Sequence, residues 1–232
     1  GGILLGVILF LGENLQRMGV AETTAGKTGF ITALYIVFVP LFSMLGRKKA
    51  GANCWYAVLI AIVGFYFISL SGENFTISRG DLMVLLCSFI YTFHIIYTEI
   101  FVRGNDPIKV TLISMVVSGI ISIIAMAVAG EIPSPEVVSA NIVPLLYIGL
   151  VSSGIGFTFQ SLGQERVDSS LATLFMSLES VFGLIFGMII LKEPIATKEL
   201  CGCLLVFIGI FIAQFEFPHT FLKLNKSRYF VE

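Results

Sequence analysis

The residue with the most chemistry to offer is Glu179, the sole charge in the apolar run Leu171–Leu191. A charged side chain at the centre of a membrane span costs about 2.5–3.5 kcal/mol on insertion scales, so such residues face a partner or a watery cavity and mark substrate or proton pathways. Two roles suit a carboxylate there: proton acceptor, or contact for a cationic or hydrogen-bonding substrate group. The plainer role is a protonated or hydrogen-bonded packing residue. Ala172, Phe175, Met176, Gly183 and Phe186 share its helical face, and small and aromatic groups suit either close packing or a cavity wall.

Other polar residues inside apolar runs extend the candidate pathway. Glu13 and Arg17 are i,i+4 neighbours with Asn14 and Gln16 beside them, a self-neutralising pair expected at the outer mouth of a pathway or in a structural role. Tyr91 and His94 share a face with Cys87 and Thr98. The imidazole could relay a proton or simply pack with a hydrogen bond. Gln160 stands near Ser152, Ser153 and Thr158, where hydrogen bonding across helices is the common role. Cys201-x-Cys203 points two ways around a helix, so no metal site or disulfide is read from it. No glycine-rich phosphate loop is present, and the sequence calls for no cofactor.

These residues need elements to hold them, and composition says which. Hydrophobic residues make up 56% of the chain and charged residues 12%, with a mean hydropathy of +0.96. A soluble domain has about 45–50% and about 25%. The formal charge of −1 gives no reason to expect nucleic-acid binding. Eight runs are long enough to span a bilayer as helices: Gly2–Val20, Gly26–Leu45, Cys54–Leu70, Leu82–Val102, Val110–Ala129, Ile142–Gly163, Leu171–Leu191 and Leu200–Phe215. The fold class is therefore all-α and polytopic. Lys and Arg are distributed unequally between alternate connections. Arg47, Lys48, Lys49, Arg103, Lys109, Arg166, Lys223, Lys226 and Arg228 fall on one side, and Lys27, Arg79, Lys192 and Lys198 on the other. The richer side is cytoplasmic by the positive-inside rule. Both ends of this chain are then cytoplasmic, with Ser71–Asp81 and Glu131–Asn141 external.

Shifting the chain by 144 residues aligns Gly12–Met44 with Gly156–Met188, matching Gly12/Gly156, Gln16/Gln160, Gly19/Gly163, Leu34/Leu178, Val37/Val181, Phe38/Phe182 and Met44/Met188. One further residue of shift pairs Gly64 with Gly209. Spans one to three thus correspond to spans six to eight, an odd separation, so the copies cross in opposite directions. Inverted repeats of this kind frame transporter sites near the midplane. Tyr35 takes the place of Glu179 in the first copy. Thr32 lies a turn away, and Pro40 is expected to kink the helix. The second copy has two extra spans at its start, so two helices are expected before Gly1.

Ala25-Gly26-Lys27-Thr28-Gly29-Phe30-Ile31-Thr32-Ala33-Leu34-Tyr35 leading to Val39-Pro40, Gly80-Asp81 opening a helix with Tyr91-Thr92, and Ser177-Leu178-Glu179-Ser180-Val181 before Leu191-Lys192-Glu193-Pro194 together resemble the EamA-type drug/metabolite transporters. Ser180 stands where proline is usual in that family, and Lys192 where glycine is usual. The resemblance implies ten helices in two antiparallel five-helix repeats: residues 1–73 as the last three helices of the first, 80–217 as the second, and 218–232 as a cytoplasmic tail. It implies a secondary transporter, with export the expected direction, that carries small organic metabolites or drug-like solutes through the plasma membrane by alternating access. Its partners are the bilayer, a small solute, and protons or a counter-solute. An intramembrane enzyme would need Ser152 or Ser153 beside His94 as nucleophile and base. A receptor or structural subunit would be expected to show large loops or tails.

Overall fold

Backbone that crosses lipid must satisfy its own N–H and C=O groups, and in the computed structural model every described element is helical. Residues 1–23, 25–45, 52–69, 78–178, 181–182, 189 and 197–214 are described. The elements are α1 (Gly2–Val20), α2 (Ala25–Thr32), α3 (Tyr35–Leu45), α4 (Ala52–Ser69), α5 (Arg79–Val102), α6 (Pro107–Ala129), α7 (Pro135–Ala140), α8 (Ile142–Leu146), a π-helical stretch (Tyr147–Ile155), α9 (Gly156–Gln164), α10 (Ser169–Met176) and α11 (Thr197–Gln214). Among the described residues, four helical segments are long and apolar enough to cross a membrane by themselves: Gly2–Val20, Arg79–Val102, Pro107–Ala129 and Ile142–Gln164.

α6 shows what solvent the fold is built for. It buries Thr111, Ser114 and Ser118 and turns Leu112, Ile113, Val116 and Ile120 outward. Water would favour the reverse, whereas lipid tails favour apolar side chains outside and small polar ones between helices. This is an integral membrane protein.

Helix starts follow local capping chemistry. Ser78 and Asp81 close a capping box on α5, Asp106 accepts from the Ile108 and Lys109 amides ahead of Pro107, and Asp168 accepts from the Leu171 amide at 3.0 Å. Asp106-Pro107, expected as connecting chain, therefore opens α6. The expected external loop Glu131–Asn141 contains the short α7.

One expected span is broken. Instead of a single helix over Gly26–Leu45, α2 ends at Thr32 and α3 begins at Tyr35. Leu34 N bonds Ile31 O, Ile36 N bonds Ala33 O and Val37 N bonds Leu34 O, so the ladder tightens to i→i+3 spacing there. The Ile36 amide that should reach the Thr32 carbonyl is thus diverted. The Ser88 hydroxyl of α5 donates to that carbonyl instead, at 2.9 Å. Pro40 lies inside α3, so the break comes well before the residue expected to cause it. In the segment that the 144-residue shift aligns with this one, α10 ends at Met176 with a turn at Ser177, the positions 144 on from Thr32 and Ala33.

Contacts fix helix directions. α1 runs along α5 with Gly19 against Gly80 and Val84 and Gly12 against Tyr91, so the two are antiparallel. Phe157 near the start of α9 meets His94 of α5, and Ser169 just past its end meets Glu99, so the chain advances along α9 in the direction of α5 and the two are parallel. α1 and α9 consequently run in opposite directions. α4 packs along α11, where Gly64 faces Gly202 and Val206 while Gly209 faces Ala57 and Ala61, again antiparallel. Ala33, Tyr35, Ile36, Val39, Ala61, Leu174, Val181 and Val206 belong to the main apolar core between these helices.

Candidate functional site

Three of the residues expected on a pathway meet at the α2–α3 break. Gln16 Nε2 donates to Thr32 Oγ1 at 3.4 Å, and the Tyr91 hydroxyl donates to Gln16 Oε1 at 3.4 Å. Each comes from a different helix, and each position is set by backbone geometry. Tyr91 lies midway along α5, and its ring rests over Gly12, where a Cβ would come within 2.9 Å of Cε1. Only glycine lets the aromatic ring lie so close to α1. The result is an amide, a hydroxyl and a phenol, all half-buried, linked by long hydrogen bonds beside an interrupted helix. Such groups can donate to and accept from a polar solute without carrying charge.

The other expected residues distribute around this point. Tyr35 is buried, 6% exposed, in the main core with Val181. Glu179, its counterpart in the aligned segment, lies outside the described residues, as do Ser180, Gly183, Phe186 and Lys192-Glu193-Pro194. Arg17 bonds Asn14 Oδ1 at 2.9 Å, and Asn14 bonds the Phe10 carbonyl. Among the described residues no contact within ion-pair distance joins Glu13 to Arg17, although the two charges remain close enough to interact, and the guanidinium bonds Asn14. His94 is 5% exposed and packs edge-on to Phe157 at 5.8 Å, facing a small cavity rather than the Tyr91 cluster. Ser152 and Ser153 lie on the π-helical stretch and are not among the residues that line the cavity His94 faces, so the particular serine–histidine pairing considered for an intramembrane enzyme is not brought together there.

Gln160 belongs to a second polar cluster at the other end of α5. It bonds Gln164 at 3.2 Å. Gln164 in turn bonds the Ile95 carbonyl at 2.9 Å. Next to it is Glu99, 2% exposed, unremarked in the sequence reading. One carboxylate oxygen accepts from the Ser169 amide at 2.8 Å and the Ser169 hydroxyl at 2.6 Å, and the other pairs with Arg103 at 2.8 Å. A carboxylate on the first amides of α10 is favoured by the helix dipole as well as by the hydrogen bonds. The spacing Glu99 to Arg103 was the available signal.

α5 carries a matching contact at its start. Asp81, 6% exposed, accepts from the Thr23 hydroxyl in the α1–α2 turn and from the Ser78 amide. Thr23 stands 144 residues before Val167 in the α9–α10 turn, beside the Ser169 that Glu99 holds. α5 therefore ties one turn at each end. Asp81 and Glu99 are separated by about 27 Å of helix, close to the roughly 30 Å of a bilayer core.

Half-buried and buried polar clusters between apolar helices, one of them beside a helix interruption, define a membrane protein with polar contacts built into its interior. Comparison with known proteins gives the class a family. The EamA-like transporter family model matches residues 78–215, more than half of the chain. An uncharacterized transporter of Archaeoglobus fulgidus is 30% identical over 216 residues, covering 92% of this chain and 68% of that protein. One of Methanothermobacter thermautotrophicus is 23% identical, covering 84% of this chain and 58% of that protein. The uncharacterized transporter YoaV of Bacillus subtilis is 22% identical over 93% of this chain and 75% of its own length. A protein of known crystal structure shares the fold, with a TM-score of 0.76 at 15% identity over 91% of this chain and 76% of that one. The chain belongs to the EamA-like transporter family, and it is a transporter.

Proposed function

We propose that the chain forms most of a ten-helix carrier made of two five-helix repeats of opposite orientation. It moves a small organic metabolite or drug-like solute outward through the plasma membrane by alternating access. Residues 1–73 supply the last three helices of the first repeat, 80–217 the second, and 218–232 a cytoplasmic tail, with both ends of this chain in the cytoplasm. The observation that carries the reading is the pair of helix ends at Thr32 and Met176, 144 residues apart. Paired discontinuous helices are how inverted-repeat transporters build a solute site near the midplane. The opposed directions of α1 and α9, and of α4 and α11, support it. So do the twin glycines: Gly12 and Gly19 receive α5 at close range, while Gly156 and Gly163 face open space into which a corresponding helix of the first repeat fits.

In this reading Gln16, Thr32 and Tyr91 contact the solute, and Tyr35 and Glu179 form the central pair between the repeats. Glu13 and Arg17 stand at the outer mouth, and Gln160 and His94 line the inner half. Glu179 and His94 are the groups through which a proton or counter-solute gradient would couple. The Asp81–Thr23 and Glu99–Ser169 contacts act as gate ties on opposite membrane faces.

The test is a cysteine at Thr32 (Thr32→Cys) in the full-length protein with its native cysteines replaced. Reconstituted in vesicles, it should be labelled by impermeant maleimide from both sides, several-fold more slowly when a transported solute is present. Labelling from one side only, indifferent to any solute the protein carries, would sink the proposal.

A further inference from the structure

A cavity between α1, α5, α6 and α9, about one helical turn along α5 from Tyr91, is lined on its polar side by His94, Thr98, Thr111, Ser114 and Ser161. The volume open to the centre of a water-sized sphere is about 10 Å³, enough for one such molecule. Thr98 and Ser114 are 2% and 3% exposed, and both hydroxyls are buried without a hydrogen-bond partner. Buried hydroxyls are rarely left so.

Proton counting narrows the occupant. Thr111 Oγ1 lies 2.9 Å from the Pro107 carbonyl and 2.7 Å from Ser161 Oγ. A carbonyl can only accept, so the Thr111 proton goes to Pro107. Ser161 must then donate to Thr111, which leaves the Ser161 oxygen able to accept. The cavity thus presents two hydroxyls that need an acceptor, oxygens that can take a donor, an imidazole, and no carboxylate among its lining residues. A cation would meet only neutral oxygens and leave the hydroxyl protons pointing at it. The ligand has to be neutral, water-sized, and both donor and acceptor.

We infer that this cavity is a binding site for a single water molecule, which hydrogen-bonds Thr98 and Ser114 and ties α5 to α6 beside His94. The water serves as the shared partner that neither hydroxyl finds in the protein.

Shape-conserving removal of each hydroxyl tests this through stability. Thr98→Val and Ser114→Ala should each lower the Tm of the purified protein by about 2–4 °C, because one group then remains with a water short of partners. The double variant should fall no further than the worse single one, since both lose the same bridge. A single variant at or above the wild-type Tm overturns the site, for a dry cavity is relieved by losing an unsatisfied hydroxyl. Simple addition of the two losses overturns it too, because the groups would not share a ligand. As a direct readout, radicals generated from internal water by X-ray pulses should oxidise His94, and that label should fall several-fold in the double variant. Absence of the label in the wild-type protein also overturns the inference.

Discussion

Glu99 uses one oxygen on Ser169 and the other on Arg103, so its charge is distributed across two helices at the cytoplasmic-side end of α5 in the proposed topology. Replacing it with glutamine keeps the shape and removes the charge, at a cost of about 2–3 kcal/mol. If the contact ties a gate, Glu99→Gln favours opening on that face. A cysteine at Ser170 (Ser170→Cys) should then react with impermeant reagent at least about tenfold faster from that side, and the Asp81→Asn variant should leave this rate unchanged. An equal rise in both variants would mean general loosening. The residue was hard to see in the sequence. Near the end of an apolar run a glutamate reads as interfacial, and the serine that holds it lies 70 positions further along the chain. Gln16, Thr32 and Tyr91 stood out one by one as polar groups in apolar spans. Their meeting required the fold.

At the scale of elements, the interruption after Thr32 governs where those groups go. Its carbonyl has lost its intrahelical amide, and Ser88, wholly buried, replaces it. Ser88→Ala would strand that acceptor, costing about 1–3 kcal/mol, whereas Ser88→Thr retains the donor. The expected result is a Tm lower by about 2–4 °C per kcal/mol for alanine, with lost transport, and near-wild-type values for threonine. Apolar length made α1, α5 and α6 legible beforehand to within a few residues, while the caps Ser78 and Asp106 start α5 and α6 three residues before their apolar runs. The break was not legible, because no glycine or proline stands at Ala33-Leu34 and the hydroxyl that stabilises it comes from 56 residues away. Pro40 lies within α3, after the turn at which the ladder breaks. The π-helical stretch Tyr147–Ile155 had no local mark beyond its glycines and serines.

Across the molecule, the α4–α11 seam depends on two glycines in related places. A Cβ on Gly64 would lie 2.8 Å from the Gly202 carbonyl oxygen, and one on Gly209 would lie 2.9 Å from that of Ala57. Backbone cannot yield as a side chain can, so Gly64→Ala and Gly209→Ala should each cost about 1–3 kcal/mol and lower the Tm by similar amounts. Gly119→Ala, with nothing near it, should be neutral or slightly stabilising. Unequal losses at the two seam positions would speak against their equivalence. Under the 145-residue offset, Gly64 against Gly202 maps onto Gly209 against Ala57, and Gly64 against Val206 maps onto Gly209 against Ala61. The local twofold therefore passes between positions 61 and 206. In an assembly of two separate identical subunits, the residue on such an axis must meet a copy of itself, and size can be tuned only in steps of two. Here the corresponding positions are Ala61 and Val206, both fully buried. In the two-repeat arrangement proposed above, one polypeptide carries both halves and a small residue sits across from a larger one, an asymmetry that a homodimer encoded by one gene could not reach.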